Sequence, residues 1–151
     1  MSEVNKIPSN LDAEKSVLGA ILQFPDALMN VSDFLKVEHF YDEIHADVYS
    51  VCLELFNDGV LIDILTVIKR GQRLKKKLTP HDVSGLTGNV TSDANIVVWG
   101  RMIHGESIRR EQMMLGNELM RKASDDSQDI FETNDYLLSR LDELTNVSET
   151  K

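Results

Sequence analysis

The fold of this chain is constrained most by the stretch from Asp93 to Leu144, which contains none of its 3 prolines and reads as a helical hairpin. Asp93 is a suitable cap for a helix running to about Lys122. Its first half carries Ile96, Trp99 and Ile103 at helical spacing, a face shaped for a core. From His104 to Gln112 only Ile108 is apolar, and apolar residues then return at Met113, Met114, Leu115, Leu119 and Met120. A helix of about thirty residues is roughly 45 Å long, more than a small domain is wide. The expectation is a buried first half, a solvated middle that acts as a stem, and a far end in need of a new partner.

Part of that partner is the segment that follows. Ser124 to Asp129 is a polar turn, and Asp129 with Glu132 three residues on fits a capping box. Ile130, Phe131, Leu137, Leu138, Leu141 and Leu144 then supply a second amphipathic stripe. Two antiparallel helices alone leave such stripes incompletely covered, because each helix sees one neighbour. Pattern alone leaves two solutions: the hairpin tip packs on another copy or another protein, or it folds back on the N-terminal part as ordinary core.

The preceding chain is also helical in pattern. After a disordered lead, Ser9 and Asn10 are N-cap candidates for a helix from Leu11 to Phe24, with Val17, Leu18, Ile21 and Leu22 inward. Gly19 in that helix predicts tight packing against another backbone. Pro25 restarts a short helical turn, and a helix from His45 to Asn57 places Val48, Cys52, Leu55 and Phe56 inward before Asp58-Gly59 ends it. Asp63 caps a helix through Leu65, Val67 and Ile68 to about Arg70, which Gly71 interrupts; Thr79-Pro80 opens another short one. The expected fold is all-α, a compact multi-helix head (7–92) followed by a long helical hairpin (93–145), flanked by disordered ends at 1–6 and 146–151.

A hydrophobic content of 42% suffices for a core, while 6% aromatic residues and 8 glycines argue against an all-β protein. Cys52 is the sole cysteine and has no intramolecular partner, which fits a reducing compartment. No signal peptide or membrane-length apolar run is present, so a cytoplasmic protein without membrane attachment is expected. The net charge is −9, yet Lys69 to Lys77 holds 6 basic residues and no acidic one. An acidic body argues against wrapping nucleic acid, although this cluster could touch phosphates. It lacks interleaved aromatics for base stacking and sits at a helix C-terminus, where cations are favoured anyway.

Catalytic chemistry finds little support. No GxxxxGK[ST] or GxGxxG loop is present, and Ser16, Ser84 and Ser107 have no evident His partner. The run Glu38 to His45, with Asp47 behind it, contains metal-ligand residue types; a small metalloenzyme would use His39, Asp42 and His45. Those two histidines straddle a turn and a helix start instead of sharing a helix face. The bland reading is that the carboxylates favour the positive end of the next helix and the rest is solvated surface. Arg109 and Arg110 in the stem could grip a partner's carboxylates, or could be plain surface.

The residues from Ile7 to Leu22, with Pro8, Ala13-Glu14 and Ser16-Val17-Leu18-Gly19, resemble the opening of the N-terminal domain of bacterial DnaB-type replicative DNA helicases. That opening reads approximately P-x-x-x-x-A-E-x-S-V-L-G-x-x-L. The resemblance continues through Asp33-Phe34-Leu35, Phe40-Tyr41, His45, Gly59, Ile62-Asp63, Thr66-Val67, Ser92 to Ile96 and Arg109-Arg110, and spans about residues 7 to 145. The stretch from Lys75 to Val83 departs from the commoner family pattern, in which a Gly-Gly and a Tyr-Leu usually lie.

The resemblance implies an assembly domain with no active site and no cofactor of its own. In the family, hairpins pair between subunits and six N-terminal domains build a collar as a trimer of dimers. The collar receives the C-terminal domain of primase, and a helicase loader is a second partner. ATP and magnesium belong to the family's ATPase domain, whose phosphate-binding loop this sequence lacks, so unwinding of DNA would reside in a longer parent protein. Either the chain is an excised N-terminal domain or it is a stand-alone relative. On this reading Met113, Leu115, Leu119, Leu137, Leu138 and Leu141 form the subunit interface, and Arg109 and Arg110 are partner contacts. The competing reading is a stand-alone helical domain that binds nucleic acid through Lys69 to Lys77.

Overall fold

Among the described residues, five of the six α-helices start where a short polar side chain serves their first N–H groups. The computed structural model describes residues 6–149, with side chains described to Thr145. Most of the expected lead, 1–5, and the end of the expected tail, 150–151, lie outside the described residues. Among the described residues the elements are α1 (Leu11–Gln23), α2 (Glu43–Asn57), α3 (Ile64–Arg73), α4 (Pro80–Ser84), α5 (Ile96–Ala123) and α6 (Ile130–Glu149), with 3₁₀ turns at Pro25–Asn30 and Val37–His39. All regular structure described is helical, as the sequence predicts.

The caps are local and were legible. Asn10 accepts from the Ala13 amide at 2.9 Å, Asp63 from Thr66 at 2.8 Å, and Thr79 from Asp82 at 3.0 Å. Asp129 Oδ1 accepts from the amides of Phe131 and Glu132 at 2.8 and 3.2 Å. Asp42 caps α2, two residues earlier than expected, taking the amides of Ile44 and His45 at 2.9 and 3.1 Å. The long helix begins at Ile96 instead of directly after Asp93, because Ser92 Oγ takes the Ala94 amide in a turn that precedes it.

Two compact units result, Ser9–Glu106 and 107–149 with residues 6–8. In the first unit, Val17, Leu18 and Ile21 of α1 pack with Val48, Tyr49, Cys52 and Leu55 of α2, and Ile96 and Ile103 of α5 complete the core. Trp99 is half-buried against it. Gly19 packs where its neighbour is the backbone of Leu86, as its position in a good helix predicted. Gly71 corrects the expected break: α3 runs on to Arg73, and the missing side chain leaves room for Leu78.

The α2–α3 corner turns on Gly59, which has φ +72°. Its left-handed backbone lets Val60 N–H reach the Leu55 carbonyl at 2.9 Å and Gly59 N–H the Phe56 carbonyl at 3.2 Å, the paired bonds of a Schellman stop. Gly59→Ala is expected to cost about 1 kcal/mol or slightly more, since an L-residue pays steric strain there. Urea unfolding followed by circular dichroism would expose an unchanged midpoint, which would contradict this account.

Candidate assembly interface

The polar run that suggested metal ligands is used for structure. Glu14 of α1 is 1% exposed. Its Oε2 accepts from the Tyr41 amide at 2.7 Å and its Oε1 from the Asp42 amide at 3.3 Å; His45 Nδ1 lies 2.8 Å from Oε1. His39 accepts the Lys36 amide at 2.9 Å and packs against the His104 ring at a tilt of 41°, ring centroids 4.6 Å apart. Both His39 and His45 are buried, which corrects the reading of this run as solvated surface. Burial, and then the charge of Arg101, hold the His104 imidazole below its usual pKa. No three potential metal ligands converge among the described residues. Cys52 is fully buried, which pushes its thiol up to about 12, so it stays a neutral core side chain.

The basic cluster is divided. Arg70 is held by Glu54 at 2.6 Å and Asp58 at 2.8 Å, and Lys76 lies 3.4 Å from Asp47. Lys69, Arg73, Lys75 and Lys77 remain exposed. Among the described residues, no helix is long and apolar enough to cross a membrane.

The second unit is the hairpin of the α5 C-terminal half and α6. Its inner seam is formed by Leu115, Leu119, Thr133, Tyr136 and Leu137, which leave no space for water between them. Polar ties flank the seam: Tyr136 donates to the Glu118 carboxylate at 2.9 Å, and Arg140 binds Glu111 at 3.1 Å and Glu143 at 2.8 Å. The Glu118 carboxylate that accepts from it holds the Tyr136 phenol above its usual pKa. Lys122 lies over the Tyr136 ring, 5.0 Å from its centroid.

This seam divides the six residues that the sequence pointed to. Leu115 is only 4% exposed, so it is already covered within one chain. Leu119 and Leu137 are half-buried in the same seam, and Met113 is half-buried. Leu138 and Leu141 stay exposed, at 66% and 41%. Beside them are residues the sequence reading left out of the interface: Ile130 and Phe131, each 69% exposed, and Met120 at 72%. At 3.6 residues per turn, Phe131 and Leu138 share one face of α6, turned away from the line of Thr133, Leu137 and Leu144, and Leu141 lies on the flank between the two. The sequence stripe on α6 was thus two faces merged into one. Met113 and Met120, seven residues apart, share the α5 face opposite Leu115. Arg110 donates to the Pro8 carbonyl at 2.8 Å, so part of its guanidinium is occupied within the chain, and Arg109 is exposed.

Known proteins resemble this chain in sequence and in fold. A family model described as the DnaB-like helicase N terminal domain matches residues 6–105. The replicative DNA helicase DnaB of Rhodothermus marinus is 30% identical over 143 residues, covering 93% of this chain and 15% of the relative. The Nostoc DnaB is 30% identical over 116 residues, 75% of this chain and 13% of that protein. The Geobacillus stearothermophilus DnaB is 28% identical over 139 residues, 90% and 29% respectively. The chain therefore spans less than a third of each of these relatives. Among solved structures, the N-terminal domain of DnaB helicase from Mycobacterium tuberculosis superposes with a TM-score of 0.82 at 24% identity, covering 91% of this chain and 99% of that one. A DnaB-like replicative helicase, described with its interactions with primase, superposes with a TM-score of 0.69 at 20% identity, covering 89% of this chain and 31% of that one.

Proposed function

The chain belongs to the family of DnaB-like helicase N-terminal domains, and from that membership we infer that it is the assembly and partner-docking domain of a replicative DNA helicase. Its hairpin pairs with the hairpin of a second copy, and three such dimers form the collar of a hexamer. Primase docks on the collar, a partner suggested by the primase interactions described for the helicase of similar fold; a helicase loader is a second partner. ATP, magnesium and strand separation belong to the ATPase domain of the parent protein in the bacterial cytoplasm. This chain performs no catalysis of its own.

The observation that carries the reading is the apolar surface of Phe131, Leu138 and Leu141, left exposed after the hairpin has closed its own seam. Leu138, Leu141 and Met113 form the subunit contact together with Phe131 and Met120. Leu115, Leu119 and Leu137 support it from inside by fixing the two helices, and Arg109 meets carboxylates of the partner.

Light scattering and sedimentation equilibrium test this reading directly. The chain at tens of micromolar is expected to have the mass of a dimer or a higher even oligomer. Leu138→Asp should shift it to monomer with helicity retained. Burying a leucine contributes roughly 1.5–3 kcal/mol, and two-fold symmetry counts it twice, so dissociation should rise by about a hundredfold or more. Leu115→Asp should instead disrupt the hairpin itself, with loss of helical signal. An unsubstituted chain that stays strictly monomeric at high micromolar concentration overturns the proposal.

A further inference from the structure

A second exposed apolar surface lies in the Ser9–Glu106 unit, where hairpin pairing gives it no role. Val60, Leu61 and Leu65 are 38%, 68% and 61% exposed. They are not on a loose loop. The Gly59 stop fixes Val60, Thr66 Oγ1 donates to the Leu61 carbonyl at 2.8 Å, and the Asp63–Thr66 capping box fixes the start of α3. A rigid corner that presents three aliphatic side chains to water pays a hydration cost that a partner would remove.

Charge continues the same face. Lys69 follows Leu65 by one turn and Arg73 follows Lys69 by another, so the outer face of α3 passes from apolar to cationic over about 12 Å. Arg70 beside them is 11% exposed and neutralised by Glu54 and Asp58. Lys69 and Arg73 are exposed and make no ion pair among the described residues. A hollow of about 310 Å³ beside the cations is lined by Leu55, Val60, Thr66, Lys69, Arg70 and Arg73, with Leu61 and Leu65 outside it.

The geometry points to this face as a docking surface for an acidic amphipathic helix of a partner protein, laid along α3 with apolar anchors on Leu61 and Leu65 and carboxylates over Lys69 and Arg73. Charge complementarity selects that occupant. On a chain of net charge −9, Lys69 and Arg73 one turn apart, with exposed Lys75 and Lys77 beyond them, favour a short run of carboxylates over a long polyanion, which the acidic remainder of the chain repels. The apolar half is aliphatic, which suits leucine or isoleucine anchors and offers no ring for base stacking. The proposal does not depend on hairpin pairing.

The test uses the full chain, labelled with ¹⁵N, and a fluorescein-labelled designed helix of about sixteen residues. The peptide carries leucines one turn apart and glutamates one and two turns farther along the same face. Binding should perturb amides from Val60 to Arg73 and weaken about tenfold when salt is raised from low to several hundred millimolar. Leu65→Ser should weaken it about tenfold. Lys69→Glu with Arg73→Glu should abolish it and restore binding to a counterpart peptide in which lysines replace the glutamates. All these positions are exposed, so a single cooperative thermal transition, lowered only slightly by the loss of cations at the α3 C-terminus, should certify the fold. Hairpin variants such as Leu138→Asp should bind the peptide normally. Four results overturn the proposal: no peptide binding at half-millimolar concentration, amide shifts elsewhere, tighter binding of an oligo(dT) strand at Lys69 and Arg73, or a Leu65→Ser change in oligomer mass.

Discussion

Replacing Glu14 by alanine is expected to destabilise the Ser9–Glu106 unit by about 3–5 kcal/mol, the range for removing one partner from a buried charged network. The carboxylate is 1% exposed and serves three donors, the amides of Tyr41 and Asp42 and the ring of His45. The two amides belong to the segment that enters α2, ahead of the Asp42 cap, and have no helical carbonyl available to them. Removing the acceptor leaves these groups in a space that water enters only in part. Each unpaired buried donor costs about 1–3 kcal/mol. A domain stable by roughly 5–15 kcal/mol would lose a large share of its margin. Glu14→Gln keeps the shape and one acceptor oxygen, so a loss of about 1–2 kcal/mol is expected. Urea unfolding monitored by Trp99 fluorescence reports this unit. A double-mutant cycle with His45→Ala should return a coupling energy of about 1 kcal/mol or more, and additivity between the two sites would refute the network.

Gly19→Ala is expected to destabilise the same unit by about 2 kcal/mol or more, although alanine is the better helix former by about 1 kcal/mol. A methyl group at Gly19 would run into the Leu86 carbonyl oxygen, and the Val90 side chain stands 3.0 Å from the same point. Backbone yields less readily than a side-chain tip. The facing segment is also tied to α1, because Gln23 Nε2 donates to the Val90 carbonyl at 2.7 Å. Gly105→Ala in α5 is the control, since nothing lies within 4 Å of its added methyl. There the propensity gain should appear as a small rise in stability. If both substitutions stabilise the protein, the close approach of α1 to Leu86 is not a constraint.

These two residues show where legibility ends. Gly19 could be flagged because a glycine in a good helix needs a packing reason, and the reason proved to be another backbone. Glu14 belonged to the family motif but carried no such physical mark. Its position in the helix reads as an ordinary first-turn carboxylate, and its donors lie 27 to 31 residues away in the sequence. His39 and His45 were noticed for their residue type but assigned to solvent for the same reason: a polar residue beside a turn is exposed unless another element covers it.

The candidate interface divides in the same way. Helix existence, the caps at Asn10, Asp63, Thr79 and Asp129, and the inward stripes of α1 and α2 follow from interactions within about four residues, so the sequence contains them. Membership in the helicase N-terminal family was likewise written in Ala13-Glu14 and Ser16 to Gly19. The apolar positions of the hairpin were also visible, but not their allocation. Leu115, Leu119 and Leu137 face the partner helix, while Phe131, Leu138 and Leu141 face outward. That choice depends on how α5 and α6 rotate about their own axes, and the rotation is set by packing and by Arg140–Glu111 and Tyr136–Glu118, ties between separate helices. Leu65 is the matching case in the head: it was read only as part of the helix that Asp63 caps, and the packing of α3 buried Val67 and left Leu65 in water. The sequence alone determined which segments are helical and which side chains require burial. The tertiary structure alone decided which of those requirements one chain meets, because burial is a property of neighbours that distant parts of the chain supply.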